Sequence, residues 1–226
     1  MSVQRVAVYF APAIGDALSH AGATWLGRDA QHKTLCEQPP WPGVAEITAE
    51  ARLYGFHATL KPPMRLADGH GWADLLQATD ALATRHAPFD LPALEVMSVH
   101  GFLALREQAP CPSLQTLADD CVAQLDGFRA PPSEADLARR RQAILSPNQK
   151  ELLTRWGYPY VFQEWFFHMT LTRQLTATEH ANWQPAAEAH FSAALRQSRR
   201  VTDICLFTQL APGEAFTIAA RLALRG

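Results

Sequence analysis

Phe166-Phe-His-Met-Thr-Leu-Thr-Arg173 and Gly55-Phe-His-Ala-Thr-Leu-Lys-Pro62 share the core Phe-His-x-Thr-Leu, placed 111 residues apart in a chain of 226. Successive side chains of a strand point to opposite faces, so a histidine and a threonine two positions apart share one face. Phe56 with Ala58, and Phe167 with Met169, then share the other face and face apolar packing. Each stretch reads as a strand that presents an imidazole and a hydroxyl on one side and hydrophobes on the other. A single His-x-Thr carries little information, because threonine is common in strands. Two copies with the same flanks, one in each half of the chain, point to a shared site of two histidines and two threonines, suited to phosphoester chemistry.

The surrounding chain supports a globular protein of one large domain or two small lobes. Hydrophobic residues make up 48% and charged residues 19%, with a net charge of −2. That balance supplies no general field for a polyanion or a membrane surface, so nucleic acid is disfavoured as a partner, while a small phosphorylated substrate held by local cations fits. The four cysteines, Cys36, Cys111, Cys121 and Cys205, form no Cys-x-x-Cys pair and read as reduced thiols. No run reaches the ~18 apolar residues of a membrane span, and a cytoplasmic location is expected.

In chain order, residues 3–10 alternate as a strand ended by Pro12, and residues 13–50 read as irregular turns and loops. The first motif strand, 56–60, is expected to stop at Pro62-Pro63. A helix follows near 72–86, then a hairpin through Leu94–Val99 and Phe102–Arg106 about Gly101. Ser113 is the expected N-cap of a helix closed by Gly127, and Ser133-x-x-Asp136 is expected to start another. Ser146-Pro-Asn-Gln149 reads as a capping box with proline at the first helical position, and Gly157 as the stop. After the second motif strand, Thr176-x-x-Glu179 opens a helical region expected to break before Pro185 and continue to about Leu195. Strands at 203–208 and 216–224 complete the chain. The second half thus repeats the order of the first: motif strand, helix, two strands. The expected fold is α+β and bilobal, with two pseudo-symmetric lobes of antiparallel sheet plus helices about a central cleft. Residues 1–226 form one domain, with halves 1–127 and 146–226 joined by a helical segment at 128–145.

These residues resemble the two-histidine (2H) phosphoesterase superfamily, which includes 2′-5′ RNA ligase-like proteins and cyclic nucleotide phosphodiesterases. Tyr54–Pro62, Phe128-Arg-Ala-Pro131, Arg139-Arg140, Trp156–Val161 and Phe167–Thr172 are similar to one branch associated with phosphonate-degradation enzymes. The resemblance implies the bilobal fold and phosphoesterase activity, and implies phosphonate metabolism by association.

The chemistry needs a base for water and an acid for the leaving oxygen. Imidazoles titrating near ~6.5 serve both, so His57 and His168 are the expected acid–base pair and no cofactor is called for. Thr59 and Thr170 are the expected donors to the phosphoryl oxygens. Lys61 shares the face of His57 and Thr59 and is a candidate for substrate binding, with plain surface exposure an equal alternative. Tyr54 and Tyr160 are candidates for stacking or phosphate contacts, with apolar anchoring the alternative. Arg129 and Arg140 are candidates for a second phosphate clamp, with a solvated helix face the alternative for the 139–141 run. No metal site is expected, because a catalytic zinc wants three protein ligands and only two histidines pair here. No Gly-x-x-x-x-Gly-Lys phosphate loop is present. The function expected is metal-independent phosphoesterase action on a small cyclic phosphate or phosphodiester. The alternatives are a non-catalytic phosphometabolite-binding protein and RNA end processing as a ligase or cyclic phosphodiesterase.

Overall fold

The structure, a computed structural model, describes residues 3–132 and 144–226. Its centre is a sheet of seven antiparallel strands. Five of them flank the motif strands: β1 (Arg5–Phe10), β6 (Leu94–Val99), β7 (Phe102–Glu107), β10 (Asp203–Gln209) and β11 (Thr217–Ala223). The motif strands themselves, β4 (Ala58–Met64) and β8 (Met169–Thr170), are neighbours in the spatial order β11-β10-β1-β4-β8-β7-β6. Two small ladders lie outside it: β2 (Arg28–Asp29) with β3 (Thr34–Leu35), and β5 (Phe89–Leu91) with β9 (Arg199–Val201). Helices α1 (Ala17–Leu26), α2 (Val44–Ile47), α3 (Ala49–Tyr54), α4 (Trp72–Ala83), α5 (Pro112–Gln124), α6 (Pro147–Trp156) and α7 (Ala177–Leu195) complete the described residues.

The α+β class and the antiparallel sheet match expectation, but each flank of the sheet draws on both halves of the chain. The β6–β7 hairpin of the first half pairs with the second motif strand through Ala104↔Thr170, and β10 of the second half pairs with β1 beside the first motif strand. The two motif strands meet at one Cα pair, Ala58↔Met169. Those two residues are themselves 111 apart, the motif offset, so a local two-fold relation passes between them.

Burial follows the expected alternation. Phe56, Ala58, Leu60, Phe167, Met169 and Leu171 are buried, whereas His57, Thr59, His168 and Thr170 are intermediate. The apolar face joins Val6, Val8, Phe10 and Leu206 to Leu18, Trp25, Leu75, Leu117 and Phe191 from the helices. On the opposite face, Tyr9, Phe207, Phe216 and Cys205 form a smaller apolar group beside His57, the residue that precedes β4.

Several local expectations are corrected. Residues 13–50 contain a helix, α1, capped by the Asp16 side chain on the Leu18 amide and ended at Gly27 with φ 76°. Strand β4 runs through Pro62-Pro63 to Met64, because its pairing with β1 shifts there: Val8 faces Lys61 and Val6 faces Met64, so the extra residue absorbs the missing N–H groups. Helix α5 begins at Pro112 with Cys111, not Ser113, as its N-cap, and ends at Leu125 rather than Gly127. Helix α7 continues unbroken through Pro185, which is exposed, so the carbonyl four residues earlier is left to solvent. The capping boxes at Ser146/Gln149 and Thr176/Glu179 form as read. The helix expected from Ser133 falls outside the described residues.

Gly22 of α1 lies against the Phe56 ring, which a Cβ at that position would overlap. Alanine is the better helix former by ~1 kcal/mol. Overpacking a core commonly costs ~1–3 kcal/mol, and Phe56 is backed by Phe191 at 5.9 Å. Gly22→Ala should therefore lower the thermal midpoint despite its helix propensity, as a melt followed by circular dichroism would register.

Candidate active site

Antiparallel pairing at Ala58↔Met169 sets His57 beside Thr170 and Thr59 beside His168 when the register is continued by one residue each way. The four groups thus form a diagonal arrangement on one face of two adjacent strands. Trp165 reinforces it: its Nε1–H donates to the Thr59 carbonyl at 2.8 Å, tying the approach to His168 to the first motif strand. Trp25 donates to the Leu171 carbonyl at 2.9 Å from the buried side.

Each imidazole is oriented by a carbonyl two residues earlier. His57 Nδ1 lies 2.8 Å from the Gly55 oxygen, and His168 Nδ1 lies 3.1 Å from the Phe166 oxygen. A carbonyl only accepts, so each Nδ1 carries a proton and each Nε2 is left to face its surroundings. The Thr59 hydroxyl lies 3.3 Å from His57 Nε2. Gly55 has φ 80°, a backbone conformation that leaves its carbonyl placed for this bond.

The rings around the two histidines differ. Tyr9 stacks on His57 at 3.7 Å with 19° between planes, and Phe207 and Tyr54 stand at 5.9 and 6.4 Å. Phe166 and Phe102 flank His168 at 4.8 and 5.9 Å, and Arg106, set opposite His168 by the β7–β8 register, lies over Phe166 at 4.9 Å. Burial pushes the His57 pKa down to about 4, only partly opposed by the Gly55 carbonyl, with the His168 charge adding to the fall. Burial also lowers His168, with the Arg106 and His100 charges acting in the same direction.

A cleft of ≈ 970 Å³ opens along this face. Of the expected site residues, His57, Thr59, Lys61, Tyr54, Arg129 and Thr170 line it. His168 and Tyr160 are not among its lining residues; Tyr160 packs edge-on against Tyr158 at 5.6 Å. Arg140 lies outside the described residues. Lys61 is almost wholly buried, at 2% exposure, and donates to the Val122 carbonyl at 3.0 Å and to Asp126 at 3.1 Å. Arg129 grips the same carboxylate through two bonds of 2.8 and 2.9 Å. Both cations are thus held at the cleft wall by Asp126. Composition could not reveal Tyr9, Arg5 or Arg65 as cleft residues. For Arg5 and Tyr9 the signal lay in the alternation of β1, which sets Tyr9 against Thr59, whereas Arg65 directly follows β4. Among the described residues no three His, Cys, Asp or Glu side chains gather as a metal site, and no helix is long and apolar enough to cross a membrane.

A family model described as "Protein of unknown function (DUF1045)" matches residues 59–217. The chain belongs to the DUF1045 family. Two curated relatives, both named "Ribose 1,5-bisphosphate phosphokinase PhnN", resemble it. One, from Janthinobacterium sp. (strain Marseille), is 38% identical over 237 residues, covering 100% of this chain and 52% of the relative. The other, from Laribacter hongkongensis (strain HLHK9), is 37% identical over 216 residues, covering 95% and 50%. The DUF1045 chain therefore spans about half the length of the curated relatives it matches. It is also similar to a solved structure of E. coli LigT complexed with NADP+, at 17% identity and a TM-score of 0.48, and to one described as a phosphoesterase, at 16% and 0.47, each with 100% of both chains covered.

Three outcomes follow from the site's electrostatics. A depressed histidine pKa means the unfolded chain takes up its proton first as pH falls, so folding stability should decline from ~pH 6.5 downward. An NMR titration should place the His57 midpoint well below that of an exposed histidine in the same DUF1045 spectrum. Asp126→Ala leaves the Lys61 ammonium buried without its counter-charge and should cost ~3 kcal/mol in chemical denaturation.

Proposed function

We propose that this chain is a phosphoesterase that hydrolyses a small cyclic phosphate or phosphodiester without a metal, using His57 and His168 as acid and base. The observation that carries the reading is the direct pairing of the two His-x-Thr strands, which puts both imidazoles and both hydroxyls on one face, each partly buried. In the reaction one imidazole Nε2 takes a proton from water as the water oxygen bonds to phosphorus. The ester P–O bond breaks, and the leaving oxygen takes a proton from the other imidazole. Thr59 and Thr170 donate to the non-bridging oxygens, where charge builds in the transition state.

The cleft supports a substrate with a second anionic group. Arg5, Lys61, Arg65 and Arg129 line it together with His57, and Lys61 and Arg129 are bound to Asp126. The Arg5 guanidinium donates through Nε to Gln209 at 2.7 Å and lies 5.3 Å over Phe216, so it is aimed with its remaining donors uncommitted to that bond. The relatives' name adds a substrate class. They are named for a kinase of ribose 1,5-bisphosphate, and this chain holds no phosphate loop, so we assign the kinase chemistry to the half of those proteins that it does not cover. Opening a 1,2-cyclic diester of ribose 5-phosphate at O2 yields ribose 1,5-bisphosphate. A cyclic diester of a ribose phosphate is thus the preferred substrate, which accords with the phosphonate association of the resembling branch and with a soluble cytoplasmic setting.

The test is turnover of ribose 5-phosphate 1,2-cyclic phosphate in excess chelator, beside 2′,3′-cyclic nucleotides and bis(p-nitrophenyl) phosphate. His57→Ala and His168→Ala should each lose ~10²–10⁴-fold. Arg5→Ala should raise KM for the doubly anionic substrate more than for bis(p-nitrophenyl) phosphate. Unchanged rates in both histidine variants, or tight binding of every diester without turnover, would refute the enzyme assignment and leave a binding protein.

A further inference from the structure

The two histidines share a motif but not an environment, and the difference lies on β1. Tyr9 is 1% exposed, and its ring is fixed by Phe207 at 4.9 Å and Phe216 at 6.5 Å. Its Cα partner across the sheet is Thr59, the hydroxyl residue that faces His57 Nε2. A near-parallel ring at 3.7 Å covers one whole side of the His57 imidazole. Among the described residues no ring lies parallel to His168 in this way: Phe166 is tilted by 35° at 4.8 Å and Phe102 by 56° at 5.9 Å.

We propose that Tyr9 is a positioning residue that locks the His57 ring in one plane and makes His57 the base of the pair. This rests on the phosphoesterase reading above. The lock has two contacts. The Gly55 carbonyl fixes the tautomer and the ring's flip state through Nδ1, and the phenol ring of Tyr9, stacked on the imidazole face, blocks turning about the Cβ–Cγ bond. Together they leave Nε2, with its lone pair, directed at the Thr59 hydroxyl and the cleft. A base must be unprotonated at working pH, and the cover that Tyr9 provides excludes water from the imidazolium that would compete. The titratable groups nearest His57 are Tyr9 from β1, Tyr54 from α3 and His168, which precedes β8, with Arg5 and Tyr158 next beyond Tyr9 and Glu50 of α3 lining the same cleft. Among the described residues no carboxylate bonds the ring; its contacts are the Gly55 carbonyl and the Thr59 hydroxyl. Burial raises the Tyr9 phenol well above its ordinary value, so it stays neutral and adds no charge.

The roles of ring and hydroxyl separate in two variants. Tyr9→Phe keeps the stack and removes the oxygen. Tyr9→Leu fills much of the volume without a parallel face, and Tyr9→Met serves the same comparison if the leucine variant does not fold. The imidazole of each folded variant is titrated by NMR without ligand, and ribose 5-phosphate 1,2-cyclic phosphate is the assay substrate. Tyr9→Phe should keep the His57 midpoint, its single tautomer and kcat close to wild type. Tyr9→Leu should raise the midpoint toward ~6.5, mix the tautomers, and lower kcat ~10-fold or more with little change in KM, as expected for a misplaced base. His168 should titrate unchanged in both. A leucine variant with the wild-type His57 midpoint, tautomer and kcat would overturn the proposal, as would a phenylalanine variant as impaired as leucine. The His57→Ala result judges the phosphoesterase reading separately, because the titration needs no turnover.

Discussion

The contact on which the rest depends is the antiparallel meeting of Ala58 with Met169. It joins two strands far apart in sequence, and β8 is only two residues long, so its own ladder bonds hold it weakly. The remaining hold comes from outside the ladder. Indole donors from Trp165 and Trp25 bond the carbonyls on either side, and Phe167, Met169 and Leu171 are fully buried beneath. Hairpins on both flanks close the sheet around this seam, and each comes from the half of the chain opposite to the motif strand it approaches. Swapping of this kind makes the site a property of the whole fold, since neither half can build its own side of it.

The same seam governs the chemistry. A polar face set on an apolar sheet places both imidazoles where burial disfavours the charged form, and the backbone carbonyls of Gly55 and Phe166 select the tautomer that leaves Nε2 available. The cations of the cleft wall are handled differently. Lys61 and Arg129 converge on one carboxylate, Asp126, whose own pKa is lowered by Arg129 and Lys61 against the opposing pull of burial. Charge at the wall is thereby fixed in place by a shared carboxylate.

Much of this was legible residue by residue. The period of two in both motifs predicted which side chains would be buried, and the burial pattern follows it from Phe56 to Leu60 and from Phe167 to Leu171, breaking at Lys61 and Thr172, which are buried. Capping boxes at Ser146 and Thr176 were readable because their hydrogen bonds are local. Helix α1 was hidden because Ala, Gly and His dilute its apolar stripe, and its glycine is there for the close approach of Phe56 rather than to end a helix. Proline was read too strictly twice. In β4 a register shift absorbs the two prolines, and in α7 an exposed position leaves the orphaned carbonyl to water.

By itself the sequence determined the class of fold, the two motif strands, and the face on which each carries its histidine and threonine. Local periodicity and local hydrogen bonding carry that information. Only the tertiary structure decided that the motif strands touch, that Lys61 is buried in an ion pair instead of exposed, and that Tyr9 rather than a second polar group covers His57. Those facts depend on long-range register and on burial, which arise from pairing between distant segments and leave no periodic trace in either one alone.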